Sequence, residues 1–539
     1  MSASTVAAPA ALPAPIDFTA GDRRTRKRAR PKPPLPLWFA VIVAIGAGPI
    51  LDGGFPDRGI WPLAFVGIGL ILVTLMGRSV WGALLIGFIA GESFYLVHIE
   101  WATVYLGPVP WAALATVESI FFAIGAIVIT LAYRFIPRAF PGVAGRVWLT
   151  SAVVAAVWTA RESLVSVWPY GGFPWARMAL SQSESPFAPL VAWVGFSGLS
   201  FIMVFIVALA LQLARTSEVR PVTKAGTLAL VVIGVLIVPA WPTPTTGSTR
   251  VAAVQGNGPA GYFDGAAPGT VMNTQIDETL KILDEHVDMV VWPENGADLD
   301  PQRVPQSAAA LDYLSRRMNA PFIVGAISQR GDKYFNSSLL WSYPNGVTDV
   351  YDKKHPVPFG EYVPDRAFWE PLAPDLIGLI GRDYTPGTKD NVFDIGGVLT
   401  GISICFDIAD DQLTRDAVAG GARLILAQTN NADFGKTDEN EQQLAIARLR
   451  AIESARSIVN ISTVGTSQMI GPDGHTITSI PAFKPGSMIA EVPLTDTVTP
   501  AMSFGHQFEL FIDGMGLATL VLAGIASAPR GARRPRVER

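Results

Sequence analysis

Runs of apolar residues long enough, or nearly long enough, to cross a bilayer recur at residues 37–51, 60–76, 79–98, 109–133, 147–166, 187–213, 224–241 and 507–526. A crossing takes about 20 helical residues. In hydrocarbon every backbone N–H and C=O must be paired within the chain, which a helix achieves and an open strand does not. These runs predict a multi-span α-helical membrane domain of about eight transmembrane helices. Trp38, Trp61, Trp111, Trp148 and Trp241 stand near their ends, where amphipathic rings anchor. Composition agrees: half the residues are apolar and 16% are charged, against about 25% charged in soluble domains.

Charge orients the helices. Arg23, Arg24, Arg26, Lys27, Arg28, Arg30 and Lys32 precede the first run. Alternate connections carry Arg78, then Arg134, Arg138 and Arg146, then Arg215, Arg220 and Lys224, while those between carry little beyond Arg58 and Arg177. Lys and Arg collect on the cytoplasmic side. The expected layout is a disordered, basic cytoplasmic N-terminus at 1–36, transmembrane helices 1–7 within 37–244, and an extracytoplasmic catalytic domain at 245–505. A last transmembrane helix at 506–528 and a basic cytoplasmic tail at 529–539 complete it. The first span is expected to act as an uncleaved signal anchor, because the basic cluster and apolar run follow an Ala/Pro-rich stretch.

The insert between the last two runs has another texture. Short β-branched runs at 250–255, 289–292, 322–327, 338–341, 398–404, 424–427, 458–463, 467–470 and 488–492 alternate with helical patterns at 275–285, 308–318 and 439–455. Strands mixed with amphipathic helices indicate one layered α/β or α+β domain. Residues 368–380 are unusually apolar for a loop, as a core helix or a lid touching the bilayer would be.

A net charge of −4 gives no footprint for nucleic acid. The single cysteine, Cys405, excludes an intrachain disulfide and a multi-cysteine metal site, and the five histidines lack ligand spacing. No metal or other cofactor is expected. Glu294 follows the strand-like run 289–292, Lys353 ends another polar–apolar run, and Cys405 ends a third. A carboxylate, an amine and a thiol are the parts of a cysteine acyl-transfer site: base, oxyanion stabiliser and nucleophile. The backbone N–H of Phe406 is a second candidate oxyanion donor. Taken singly, each has a plainer reading: a buried small hydrophobe, a solvated loop acid and an ordinary charged turn.

Their surroundings connect them. Trp292-Pro293-Glu294, Tyr351-Asp352-Lys353-Lys354-His355 and residues 401–407 resemble the three motifs of the nitrilase superfamily, a likeness that selects Lys353 over Lys354. Val357-Pro358-Phe359-Gly360-Glu361-Tyr362-Val363-Pro364, Gly172-Phe173-Pro174-Trp175, Val254-Gln255-Gly256-Asn257 and residues 447–456 narrow the resemblance to the apolipoprotein N-acyltransferase family, over roughly residues 37–526. It implies a nitrilase-like α-β-β-α sandwich outside the cytoplasmic membrane of a bacterium, with Glu294, Lys353 and Cys405 as the triad. It makes Glu361 a second carboxylate that orients or charge-balances Lys353, and Asn336 a polar partner in the strand before. Phe406 and Asp407 stand where many relatives have Tyr and Glu. Asn430-Asn431-Ala432-Asp433-Phe434-Gly435 lacks a tryptophan usual there, and Tyr262 and Phe263 replace another. Both changes are expected to bear on lipid contacts more than on covalent chemistry.

The implied reaction passes an acyl chain from a membrane phospholipid, through a Cys405 thioester, to the α-amine of a diacylglyceryl-cysteine at a lipoprotein's N-terminus. Alternatives are a membrane-tethered amidase hydrolysing a small amide, and a non-catalytic membrane scaffold. Abundant Ala, Gly, Pro and Arg suggest a high-GC bacterium. In actinobacterial members the resemblance adds a polyprenol-phosphate mannose synthase as a partner to test for.

Overall fold

A computed structural model describes residues 32–528. The disorder expected for the N-terminal segment falls almost wholly on residues outside that range, and the basic tail at 529–539 lies outside it too. Helices form at each apolar run: α1 (Leu37–Asp52), α2 (Pro62–Leu75), α3 (Val80–His98), α5 (Pro108–Ala139), α6 (Thr150–Val165), α7 (Val191–Arg215), α8 (Pro221–Leu236) and α15 (Pro500–Ala526), with the short α4 (Ala102–Leu106) between α3 and α5. Among the described residues, α3, α5, the stretch Ala188–Arg215 and α15 are long and apolar enough to cross a membrane; α1, α2 and α8 are apolar but shorter.

Small residues let the long helices touch. Gly87 and Gly91 of α3 face α5 so closely that an added Cβ would sit 2.4 Å from Ala126 Cβ and 2.9 Å from Ser119 Cα. That small-xxx-small spacing replaces hydrophobic drive with backbone proximity, as packing within lipid requires. Two helices begin differently from their apolar runs. A π-turn, Gly145–Leu149, leads into α6. The last helix starts at Pro500, because Thr499 accepts from the Met502 N–H and Pro500 needs no partner for its missing N–H.

The arginines of alternate connections meet. Arg134 donates to the carbonyl of Arg78, and Arg78 to that of Leu35. Arg78 precedes α3 and His98 ends it, so this end of the bundle lies about 28 Å from the other by helical rise. The far end, at His98 and Trp101, carries the second domain.

That domain is two six-stranded sheets face to face, in the orders β12-β1-β2-β3-β4-β5 and β11-β10-β9-β8-β7-β6. The strands are β1 (Gly247–Gln255), β2 (Met289–Val291), β3 (Phe322–Arg330), β4 (Lys333–Ser342), β5 (Gly346–Asp352), β6 (Val392–Ile395), β7 (Val398–Ile404), β8 (Leu424–Thr429), β9 (Ser457–Ser462), β10 (Ser467–Ile470), β11 (Thr476–Ile480) and β12 (Gly486–Leu494). Each sheet has three central parallel strands, β1-β2-β3 and β7-β8-β9, flanked by antiparallel ones. Val251, Val291, Ile402, Leu426 and Val459 are among the side chains filling the space between the sheets. Outside the first sheet pack α9 (Thr270–Leu280) and α10 (Pro305–Met318).

Three strands lie outside the β-branched runs, β5, β6 and β11, each an edge strand that mixes apolar and polar residues. The helical pattern at 275–285 is displaced to α9. Asp298 reaches from a distant loop to accept from the N–H groups of Gly269 and Met272, fixing the helix start upstream. Residues 368–380 do not form one core helix but two short turns, α11 (Arg366–Trp369) and α12 (Pro374–Gly378). Ile377 and Ile380 turn inward on Val363 while Phe368 and Leu372 stay exposed.

Outside the second sheet lie α13 (Asp411–Ala419) and α14 (Glu439–Ser454). Fourteen of the sixteen residues of α14 are buried, which a helix covering one sheet does not reach unaided. Its second face is covered by the membrane bundle, with which it shares one apolar cluster. Arg177, before α7, pairs with Asp411, and Arg450 of α14 pairs with Asp411 and Glu453, both guanidinium groups lying over the Phe196 ring. Replacing Gly87 with Leu should force α3 from α5 and cost about 1–3 kcal/mol. A lowered midpoint of thermal unfolding in detergent would show it, and an unchanged midpoint would sink the close-packing account.

Candidate active site

Glu294 follows β2. The chain turns there beneath β3, where Gly325 leaves room: a Cβ would come 2.2 Å from the Pro293 carbonyl oxygen. Gln428 donates to the Trp292 carbonyl at 2.6 Å, and Thr463 Oγ1 to that of Glu294 at 2.9 Å. Two donors from the second sheet thus fix the backbone that carries the carboxylate. Burial pushes its pKa up to about 7, against the lowering pull of Lys353.

Lys353 leaves the end of β5 with its N–H on the Asn336 carbonyl and its own carbonyl accepting from Gly387. Its ammonium is 1% exposed, 2.8 Å from Glu361 Oε2 and 3.9 Å from Glu294 Oε1. Burial works against that charge, but Glu361, then Cys405 and Glu294, outweigh it and hold the lysine protonated. Asn336 Nδ2 donates to Glu294 Oε1 and Glu361 Oε1, both at 2.7 Å, spacing the two carboxylates around one cation. Glu361 Oε2 also accepts from the Val357 N–H at 2.7 Å. Lys354 turns elsewhere, its Nζ 3.8 Å from exposed Asp390.

Cys405 follows β7 at the start of a 3-10 turn, with φ of +52°. Left-handed backbone at a non-glycine residue stores strain that the surroundings must hold. Asp407 does much of the holding: its Oδ2 accepts from Tyr351 Oη at 3.0 Å and from the Ile404 N–H at 3.2 Å. It thereby ties the strand before Lys353 to the turn bearing the thiol. Shorter than glutamate, it still spans the gap, and burial raises its pKa to about 7. Burial, and then Glu294, raise the Cys405 thiol well above its usual range, with Lys353 opposing. The proton therefore rests on sulfur until a base removes it, and a carboxylate near neutrality is poised to do so.

The site reaches into the membrane half. Phe406 stacks on Trp175 at 6.0 Å and on Phe173 at 6.4 Å between centroids. Trp175 and Trp101 both donate to Gln442 Oε1, at 2.6 and 3.0 Å, and Gln442 Nε2 donates to the His98 carbonyl. The next residue, Gln443, turns about 100° around α14 and brings Nε2 to 3.7 Å from Cys405 Sγ. Tyr105 of α4 donates to the Gly360 carbonyl beside Glu361. The two departures from the family pattern touch each other: Asp433 Oδ1 accepts from the Tyr262 N–H, and Tyr262 Oη from the Gly381 N–H.

All seven residues singled out from sequence lie together: Glu294, Asn336, Lys353 and Glu361 in one hydrogen-bonded group, and Cys405, Phe406 and Asp407 on the turn facing it. Gln442 and Gln443 were not legible as partners of the site. Polar residues in a helix read as solvent-facing, and only the second cover over α14 turns them inward. Nucleophile, base and buried cation together suit acyl transfer through a covalent sulfur intermediate. Among the described residues no cluster suits a metal ion.

Residues 47–209 match the apolipoprotein N-acyltransferase N-terminal domain, and residues 250–499 the carbon-nitrogen hydrolase family. An apolipoprotein N-acyltransferase from Mycolicibacterium smegmatis is 31% identical, over 91% of this chain and 86% of that one. One from Geobacter metallireducens is 27% identical, over 87% of this chain and 92% of that one. A solved amidase of the nitrilase superfamily from Nesterenkonia is 17% identical, covers 47% of this chain and 94% of its own, and superposes with a TM-score of 0.37.

Asp407→Ala should strand the Tyr351 hydroxyl and the Ile404 N–H, costing about 1–3 kcal/mol. It should also slow alkylation of the sole cysteine by releasing its turn. Unchanged alkylation and unchanged stability would remove Asp407 from the account.

Proposed function

The chain belongs to the apolipoprotein N-acyltransferase family, and we propose that it moves an acyl chain from a membrane phospholipid to the α-amine of a lipoprotein's N-terminal diacylglyceryl-cysteine. The observation carrying this reading is the meeting of Glu294, Lys353 and Cys405 at the end of the bundle where α14 docks.

Glu294 takes the thiol proton as Cys405 sulfur attacks the ester carbonyl. Lys353, with the Phe406 N–H, faces the oxyanion, and Glu361 and Asn336 keep the ammonium in place. The carbon–oxygen bond breaks, Glu294 returns the proton to the departing alkoxide, and a lysophospholipid leaves. In the second half the amine attacks the thioester, the carbon–sulfur bond breaks, and the amine's proton passes by way of Glu294 to the sulfur. No cofactor enters either half.

Eight membrane helices, both termini in the cytoplasm and the catalytic domain outside make the best sense of the charges. Support comes from the arginines gathered at the end of the bundle opposite the docked domain. Both substrates carry acyl chains in a membrane, so a thiol fixed to the bundle meets them at the lipid surface. The hydrolase alternative differs only in admitting water to the thioester, and the stack of Phe173 and Trp175 on Phe406, the residue after the thiol, favours an apolar substrate instead.

Mass spectrometry of a diacylglyceryl lipopeptide incubated with enzyme and phospholipid tests the transfer. The α-amine should gain one acyl group. Lys353→Ala should lower the rate at least about a hundredfold, while Lys354→Ala stays within a few-fold; equal losses would refute the choice of lysine. Only ionised Glu294 can accept the proton, and its pKa is about 7, so the rate should climb with pH and level off above roughly that value. A rate flat from pH 5 to 9, roughly two units either side of that value, would exclude Glu294 as the base.

A further inference from the structure

The sulfur of Cys405 has a hydrogen-bond donor outside the triad, Gln443 Nε2 at 3.7 Å. A glutamine amide presents nitrogen on one side and oxygen on the other, so its orientation has to be decided by what it touches. Here a chain of bonds decides it, starting from a backbone N–H, which can only donate. Gly465 N–H donates to Ser462 Oγ at 2.8 Å. Ser462 Oγ in turn donates to Asn431 Oδ1, at 2.5 Å, where Thr429 Oγ1 also donates at 3.1 Å. With its oxygen so engaged, Asn431 turns its NH2 to Gln443 Oε1 at 2.8 Å and to Glu439 Oε2 at 2.7 Å. Gln443 accepts on oxygen and must face the sulfur with nitrogen.

The packing leaves this chain no slack. Asn431, Glu439, Gln443 and Ser462 are all at most 2% exposed. Gly465 can carry no side chain, since a Cβ would lie within 2.5 Å of Asn431 Oδ1 and Asn440 Oδ1. A buried, fully directed donor aimed at a reacting atom is the arrangement by which sites stabilise charge that appears during reaction. The triad's own cation, Lys353, is committed to Glu361 at 2.8 Å.

We propose that Gln443 is a further catalytic residue: its amide N–H donates to Cys405 sulfur and stabilises the negative charge there when the proton leaves, and again when sulfur departs from the thioester. Asn431 and Ser462 are positioning residues that fix the direction of that amide. The inference rests on the acyl-transfer reading for its second half, but the first half concerns the thiol alone. No co-reactant is needed, since the proton still passes between sulfur and Glu294.

Because Cys405 is the only cysteine, iodoacetamide uptake by the purified full chain in detergent reports on this sulfur without ambiguity. The charged groups bearing on it are Glu294, Lys353, Glu439 and Glu361, all left in place by the variants. Gln443→Leu should slow alkylation at pH 7 about tenfold and move the pH inflection up by about one unit, the two being the same effect on thiolate population. Gln443→Met, of similar length but with neither the donor nor an added charge, should slow it about as much. Ser462→Ala should give a smaller loss in the same direction. A merely structural role would lower stability and leave the inflection where it is. Profiles for Gln443→Leu and Gln443→Met that overlay the wild type would overturn the proposal, and should Gln443→Leu fail to fold, Gln443→Met alone decides. A wild type that never takes up an acyl group from phosphatidylethanolamine vesicles would count against the transferase reading instead, whatever alkylation shows.

Discussion

Everything about the site depends on α14 being covered twice. Its inner face lies on the second sheet and its outer face on the membrane bundle, leaving fourteen of sixteen residues buried. Buried polar groups are costly unless paired, so each polar side chain there has a named partner: Gln442 two indoles and a carbonyl, Gln443 Asn431 and the sulfur, Arg450 Asp411 and Glu453. Those bonds fix the helix in rotation as well as position. Two adjacent glutamines consequently serve two domains, one reading the membrane half and the other the nucleophile.

The same logic explains how the nucleophile's turn is held. Cys405 adopts a left-handed backbone that no local interaction favours. Asp407 pins the turn from below to Tyr351 and Ile404, and Phe406 is pressed against Phe173 and Trp175 from the membrane side. Strain at the thiol is thereby borne by contacts on both sides of the domain boundary. Electrostatics then divide the labour: a lysine kept charged by Glu361, a glutamate brought near neutrality by burial, and a thiol that burial keeps protonated. Membership in the apolipoprotein N-acyltransferase family accords with a site assembled from both halves of the chain.

Much of this was legible in the residues. Apolar runs marked every long helix of the membrane half, and the ends of β2 and β7 could be read as the sources of Glu294 and Cys405, whereas Lys353 was found through its motif. Glu361 and Asn336 were named from resemblance and lie in contact with Lys353 and Glu294. What stayed hidden was whatever depends on a second cover. The half-polar strands β5, β6 and β11 look like loops until a partner strand is beside them. The start of α9 is set by Asp298, far along the chain. Gln443 looked like surface because nothing local says that a membrane bundle covers it.

The most direct measurement is the intact mass of the purified protein after exposure to phospholipid with no acceptor amine present. Wild type should gain the mass of one acyl chain, absent from Cys405→Ala and discharged when a diacylglyceryl lipopeptide is added. A wild type that stays at its own mass, or Cys405→Ala that gains the chain equally, would contradict a thioester on this sulfur and with it the account of the site.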